Sequence, residues 1–306
     1  MAFHAQINAV LAQLNGLIVG KSDQVRDCVT CLLAGGHLLI EDVPGVGKTT
    51  LAHGLAHTLG LQFSRVQFTA DLMPSDLTGV SVYDRAREGF VFHPGPIFAQ
   101  ILLADEINRA SPKSQSALLE AMEEYQVTAE GSTRALPQPF FVIATQNPRE
   151  QLGTYPLPES QLDRFLMRVS LGYPDREAER RILAGNGHRR KAQELLPLLD
   201  ATELLRIQQA VTEVHASAPL LDYVLDLVEA SRNGQWFVQG LSPRAAIALL
   251  RVAKARAFIE GRAHISPDDV QDTIVQTVAH RLVPVAQSGR SPVAQVQAMV
   301  ESVPLR

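Results

Sequence analysis

Apolar positions in the first half of the chain follow two rhythms. Short, nearly unbroken apolar runs at 37–41, 64–68, 100–104, 140–145 and 166–171 read as strands, and amphipathic stretches at 22–34, 49–59, 112–125 and 159–165 read as helices. Their alternation predicts an α/β domain with a largely parallel sheet. After Tyr173-Pro174 the strand-like runs stop, and the pattern predicts helices over 176–185, 201–216, 220–233, 243–260 and 267–283. A boundary there divides the chain into an α/β domain at 1–173 and an all-helical domain at 174–306. Ser111-Pro112, Ser242-Pro243 and Ser266-Pro267 each set a capping hydroxyl before a proline, which is tolerated at the first helical position. Ser266 has Asp269 three residues on, close to a capping box. Two β-hairpins are expected as insertions, at about 78–93 around a turn at 85–89 and at 126–136 around a turn at 130–133.

Composition narrows the picture. Of 306 residues, 46% are hydrophobic and 20% charged, the balance of an ordinary globular protein, and the length suggests roughly two domains. A net charge of −4 gives no global pull toward nucleic acid or acidic membrane. No apolar run is long enough to cross a bilayer, and Met1-Ala2-Phe3-His4 has neither a basic start nor an apolar signal core, so a cytoplasmic protein is expected. Cys28 and Cys31 form a lone C-x-x-C without a second pair to complete a zinc site; they read as small apolar residues on one helix face. His53 and His57 are four apart, but Gly54 stands where a zincin has its catalytic glutamate.

The chemistry begins after the strand at 37–41, with Asp42-Val43-Pro44-Gly45-Val46-Gly47-Lys48-Thr49-Thr50. A polyphosphate needs many donors at close range without bulky side chains between. Gly45 and Gly47 let backbone N–H groups approach, the helix start at Lys48-Thr49-Thr50 adds its dipole, Lys48 reaches the β/γ-phosphates, and Thr49 is placed to ligate Mg²⁺. The P-loop consensus opens with Gly; here Asp42 takes that position, and tolerance of left-handed backbone is the expected reason. A second element, Ile101-Leu102-Leu103-Ala104-Asp105-Glu106, ends a strand in two carboxylates: Asp105 to hold Mg²⁺ and Glu106 to polarise the attacking water. A third, Phe141-Val142-Ile143-Ala144-Thr145-Gln146-Asn147-Pro148, puts Asn147 between the acidic strand ends, where a short amide can orient that water.

With these stretches the sequence resembles the AAA+ ATPases, and within them the MoxR group. Further matches are Asp105-Glu106-Ile107-Asn108-Arg109-Ala110, Leu118-Leu119-Glu120-Ala121-Met122, Leu157-Pro158-Glu159-Ser160-Gln161-Leu162-Asp163-Arg164-Phe165 and Leu241-Ser242-Pro243-Arg244-Ala245. The resemblance implies a P-loop αβα sandwich with a five-stranded parallel sheet, a C-terminal all-α lid, and assembly into rings, usually hexamers. It implies that Arg164 is an arginine finger reaching a neighbour's γ-phosphate and that Arg244 is a sensor arginine contacting ATP from its own lid. Val19-Gly20 resembles the segment that packs on adenine, and Arg109 a further contact between subunits. ATP and Mg²⁺ are the implied cofactors.

For the work done, the resemblance implies a chaperone-like ATPase that remodels or matures partner proteins, with metal-cofactor insertion and a von Willebrand factor A-domain partner among the family's known roles. The alternative is a nucleic-acid motor, which rests on Arg85, Arg87 and Arg134 near the hairpin tips; overall acidity and the lack of interleaved aromatic and basic residues argue against it. A non-hydrolysing scaffold is disfavoured by Glu106, Asn147 and Arg164 together. No aromatic–apolar–Gly pore loop is evident, which speaks against processive threading.

Overall fold

A computed structural model describes residues 3–147, 153–183, 195–286 and 289–305. Pro148 and the end of the helix expected at 176–185 lie outside them. In chain order the strands are β1 (His37–Glu41), β2 (Phe63–Gln67), β3 (Gly79–Asp84), β4 (Gly89–Pro94), β5 (Ile101–Asp105), β6 (Gln126–Ala129), β7 (Ser132–Ala135), β8 (Phe141–Gln146) and β9 (Phe165–Val169). Five of them form one sheet in the order β2-β5-β8-β1-β9, every pair parallel. The inner strands are apolar on both faces because helices cover both, as all-parallel sheets require. Leu38, Ile40, Leu103 and Ile143 turn to one core, shared with helices His4–Leu17, Ser22–Leu33 and Lys48–Thr58. Leu39, Leu102, Ala104, Val142 and Phe165 turn to the other, filled by Leu118, Leu119 and Met122 of helix Pro112–Glu124. The predicted α/β sandwich is the observed fold.

Departures from the sequence reading have local causes. Helix His4–Leu17 was not anticipated, although Ile7, Val10, Leu14 and Leu17 carry its buried stripe at helical spacing. It packs on helix Lys48–Thr58, where a Cβ built on Gly54 would stand 2.4 Å from Leu17 Cδ2; the residue that breaks the zincin pattern is there for close approach. Cys28 and Cys31 are free and fully buried, as expected for core residues. The helix expected over 159–165 spans only Glu159–Leu162, because fully buried Phe165 already opens β9 beside His37. The β6–β7 turn shortens to Glu130-Gly131, both at positive φ, as a tight hairpin of primed type needs.

The lid's own core joins helices Ala218–Arg232, Pro243–Ile259, Pro267–Val278 and Pro292–Ser302. The last, also unanticipated, repeats the same opening device with Ser291 and Pro292. Helix Ala201–Thr212 and the inner face of Pro243–Ile259 contribute Leu204, Ile207, Val252 and Ala255 to the sheet-side core instead. Polar ties reinforce this join: Arg256 and Asp27 pair at 2.5 Å, both nearly inaccessible, and Gln208 donates to the Leu32 carbonyl. Among the described residues, no helix is long and apolar enough to cross a membrane.

Candidate active site

Ligands of open parallel sheets bind beyond the carboxyl ends of the strands, and β1, β5 and β8 end side by side. A cleft of about 340 Å³ opens there, lined by Pro44, Gly45, Gly47, Lys48, Thr49, Thr50, Arg65, Asp105, Glu106 and Asn147. Residues separated by a hundred positions in sequence thus share one surface. Gly45 and Gly47 have φ of 85° and 100°, and a Cβ on either would meet nothing within 4 Å. Backbone conformation therefore selects glycine here, and the space beside the loop suits a phosphate chain. Lys48 Nζ donates to the carbonyls of Asp42, at 2.8 Å, and Val43, at 3.3 Å, which fastens it across the loop. The side chain of Val46 packs toward the sheet-side core, so its part in the loop is confined to the backbone.

Asp42 needs a different explanation from the one its identity suggested. It is absent from the positive-φ positions. Its buried carboxylate accepts instead from Val43 N at 2.8 Å, Gly172 N at 2.6 Å and Ser170 Oγ at 3.2 Å. The carboxylate ties the start of the loop to the chain leaving β9, a constraint that glycine could not supply. Lys21 donates to the Tyr173 carbonyl, and a Cβ on Gly20 would stand 3.0 Å from Ala178 Cβ. Val19-Gly20 therefore rests against the entrance to the lid, alongside this corner, and does not line the cleft.

The acidic end of β5 is held from the strands on either side of it. Thr145 Oγ1 donates to Asp105 Oδ1 at 2.6 Å and accepts from Glu106 N at 2.9 Å. Arg65 of β2 donates to Asp105 Oδ2 at 2.6 Å. Glu106 sits at φ 58° and ψ 49°, a left-handed conformation that a non-glycine residue keeps only when its surroundings impose it. Its Oε2 receives Gln67 Nε2 at 2.8 Å and pairs with Arg109 Nε at 3.2 Å. Arg65 and Gln67 are contributions the sequence reading missed. Their signal was a polar edge strand ending level with the Asp-Glu pair, visible only once β2 is paired with β5 in register.

The donor set fits Mg²⁺–nucleotide chemistry. Among the described residues no group of three or more His, Cys, Asp or Glu gathers to hold a metal. A divalent ion here would depend on one hydroxyl, one carboxylate and phosphate oxygens, the usual arrangement for Mg²⁺.

Arg164 and Arg244 lie elsewhere. They line a second cavity of about 230 Å³ with Glu123, Asp163, Arg251 and Arg281, and neither lines the Lys48 cleft. Glu123 pairs with Arg164 Nη2 at 3.0 Å and with Arg244 Nη2 at 2.8 Å. The Arg244 hydrogen bond, then the charges of both guanidinium groups, hold the Glu123 carboxyl below its ordinary value. Arg164 also donates to the Leu119 carbonyl. Arg244, expected at the ATP of its own subunit, is brought to Glu123 by the first turn of helix Pro243–Ile259, outside the lining of the Lys48 cleft. Two cations of the nucleic-acid reading are also engaged within the hairpins. Arg134 stacks 3.7 Å over Phe92 and Arg87 pairs with Asp84 at 3.6 Å.

Comparison with known proteins agrees with this geometry. Residues 37–167 match the family described as "ATPase family associated with various cellular activities (AAA)", and residues 229–302 match the AAA lid domain. The chain is 45% identical to the Bacillus subtilis protein YeaC, over 91% of this chain and 87% of that one. It is 41% identical to the chaperone MoxR1 of Mycobacterium tuberculosis, over 90% of this chain and 75% of that one. The crystal structure of a candidate ATPase from Cytophaga hutchinsonii superposes with a TM-score of 0.90 at 36% identity, covering 100% of this chain and 96% of that one. With a P-loop cleft, the β2-β5-β8-β1-β9 sheet, a helical lid and these relatives, the chain belongs to the MoxR family of AAA+ ATPases.

Proposed function

We propose that this chain hydrolyses ATP in a ring where each cleft is completed by two arginines of the next copy, and that turnover remodels protein partners. The observation that carries this reading is the separation of the two clusters. One cleft gathers Lys48, Thr49, Asp105, Glu106 and Asn147, while Arg164 and Arg244 share Glu123 in another cavity. Neither Arg164 nor Arg244 of a lone copy thus lines its own cleft, and a head-to-tail contact that closes into a ring brings those of a neighbour to it.

In this reading, the loop N–H groups and Lys48 hold the β- and γ-phosphates, with Thr49 and Asp105 as the residues for Mg²⁺. Bound Mg²⁺ would supply charge neutralisation between those phosphates. Glu106 accepts a proton from water at Oε1, since Oε2 is engaged by Gln67 and Arg109. Asn147 orients the water, its oxygen bonds to the γ-phosphorus, and the bond to the β-γ bridging oxygen breaks to release ADP and phosphate. Val19-Gly20, which rests beside the lid entrance outside the phosphate cleft, receives the adenine. The ring is a hexamer in the cytoplasm, its clients include a von Willebrand factor A-domain protein, and metal-cofactor insertion is among its tasks. The likeness to a protein named as a chaperone supports the client part.

The test is a trap. Glu106→Gln is expected to bind ATP, assemble and retain clients that co-purify. Turnover that is independent of protein concentration and intact in Arg164→Ala would defeat the shared site, and stimulation by DNA rather than by a protein client would defeat the remodelling role.

A further inference from the structure

Arg164 occupies a junction of one residue, between helix Glu159–Leu162 with Asp163 and the first residue of β9. Its reach toward a neighbour depends on how the backbone on either side is held. Both sides are held by one lid residue. Arg281 Nη1 donates to Asp163 Oδ1 at 2.6 Å, and Arg281 Nη2 donates to the Phe165 carbonyl at 2.9 Å. The Arg281 side chain is only 6% exposed, so these bonds form away from water. His280 Nε2 lies 3.0 Å from the same Phe165 oxygen. Phe165 itself is fully buried in the core filled by helix Pro112–Glu124, which fixes the carbonyl that Arg281 reads.

Arg281 follows helix Pro267–Val278 in the lid, and that helix packs along Pro243–Ile259, which carries Arg244. The chain of contacts therefore runs from the lid to both flanks of Arg164, while Glu123 joins the two arginine heads. A planar guanidinium suits this task because its fixed fork reaches a carboxylate and a carbonyl at once; an ammonium would engage them as a point charge.

We infer that Arg281 is a positioning residue for Arg164: it clamps Asp163 and the Phe165 carbonyl so that lid and finger present to the neighbouring nucleotide as one rigid unit. This rests on the shared-site reading above. Arg281 touches no substrate in this role. Its loss leaves ATP binding in its own subunit intact and damages the cleft of the subunit it faces.

The experiment mixes subunits. Arg281→Ala alone is expected to lower kcat about 100-fold, the scale of an ångström-sized misplacement, with KM for ATP changed by less than about twofold. Arg281→Lys is expected to fall between wild type and Arg281→Ala. Mixing Arg281→Ala with Glu106→Gln pairs an intact Glu106 with an intact finger at about a quarter of the interfaces in a random ring, so turnover should return to that fraction. Mixing Arg281→Ala with Arg164→Ala should restore nothing, since both lack a working finger. Failure of the first mixture, while Arg164→Ala with Glu106→Gln recovers, overturns the clamp and leaves the shared site standing. Failure of both recoveries overturns the shared site and the clamp with it. Should Arg281→Ala not fold, Asp163→Asn removes only the carboxylate half of the clamp and carries the same mixing test.

Discussion

The cleft around Lys48 and the cavity around Glu123 are built by different means. Every residue of the cleft sits on a parallel strand or on the loop and helix that follow it, so sheet pairing alone gathers them. The Glu123 cavity draws on helix Pro112–Glu124, the entry to β9 and two lid segments, and it exists only once the lid has packed on the sheet. The first holds donors, carboxylates and an amide for binding and polarising; the second holds Arg164 and Arg244 on the carboxylate of Glu123 and Arg281 on that of Asp163. In the proposed reading the arginines that act on a neighbour's nucleotide are thus built apart from the cleft that binds it, and the separation can be broken experimentally.

Largest is the contrast between Lys48→Ala and Arg164→Ala. The first should abolish nucleotide binding, measured by titration calorimetry; the second should leave binding intact and lower kcat about 10³–10⁵-fold, or roughly 4–7 kcal/mol of transition-state stabilisation. Equal loss of binding in both would merge the two regions. Next, Arg244→Ala should follow Arg164→Ala in losing kcat with little change in affinity; a rise in KM alone would return Arg244 to its own subunit's nucleotide.

A third prediction concerns stability. His37 joins β1 to the Glu123 helix: its Nδ1 accepts from Val142 N at 3.1 Å, and Nε2 lies 3.1 Å from the Met122 carbonyl. Burial pulls its pKa down to about 4 from 6.5. Between those values the unfolded chain binds more protons, so His37 stabilises the fold above pH 6.5 and that contribution, about 3 kcal/mol, is lost as pH falls to 4. His37→Gln, which keeps a donor and an acceptor, should flatten this limb in denaturant titrations. Asp27, pushed up to about 6 by burial, acts in the opposite sense over an overlapping window; the difference between wild type and variant therefore isolates His37. An unchanged slope would remove the histidine from the account. Smallest, Arg65→Ala should free Asp105 Oδ2 and lower the Mg²⁺ needed for half-maximal turnover by about tenfold, the scale of one charge-assisted hydrogen bond.

The legibility of these regions differed for the same reason. Gly45, Gly47, Lys48 and Thr49 are adjacent in the chain, and their spacing dictates a phosphate loop before any fold is known. Strand runs ending in Asp105-Glu106 and Asn147 pointed to the same end of one sheet because side-by-side parallel strands share their carboxyl ends. Asp42 was misread, since tolerance of left-handed backbone is a property of the residue alone, whereas its bonds to Ser170 and Gly172 come from β9 lying beside β1. Arg65 and Gln67 were passed over because a polar edge strand is unremarkable until its register with β5 is known.

The sequence by itself determined the alternation of strands and helices, the phosphate loop, the acidic pair and the family, because each depends on residues close together or on a period along the chain. Tertiary structure alone decided where Arg164 and Arg244 stand, what Asp42 and Gly54 are for, and that Arg281 reaches across from the lid. Those facts depend on long-range packing, in which a side chain's partner lies 40 to 130 positions away and is chosen by which faces the cores bury.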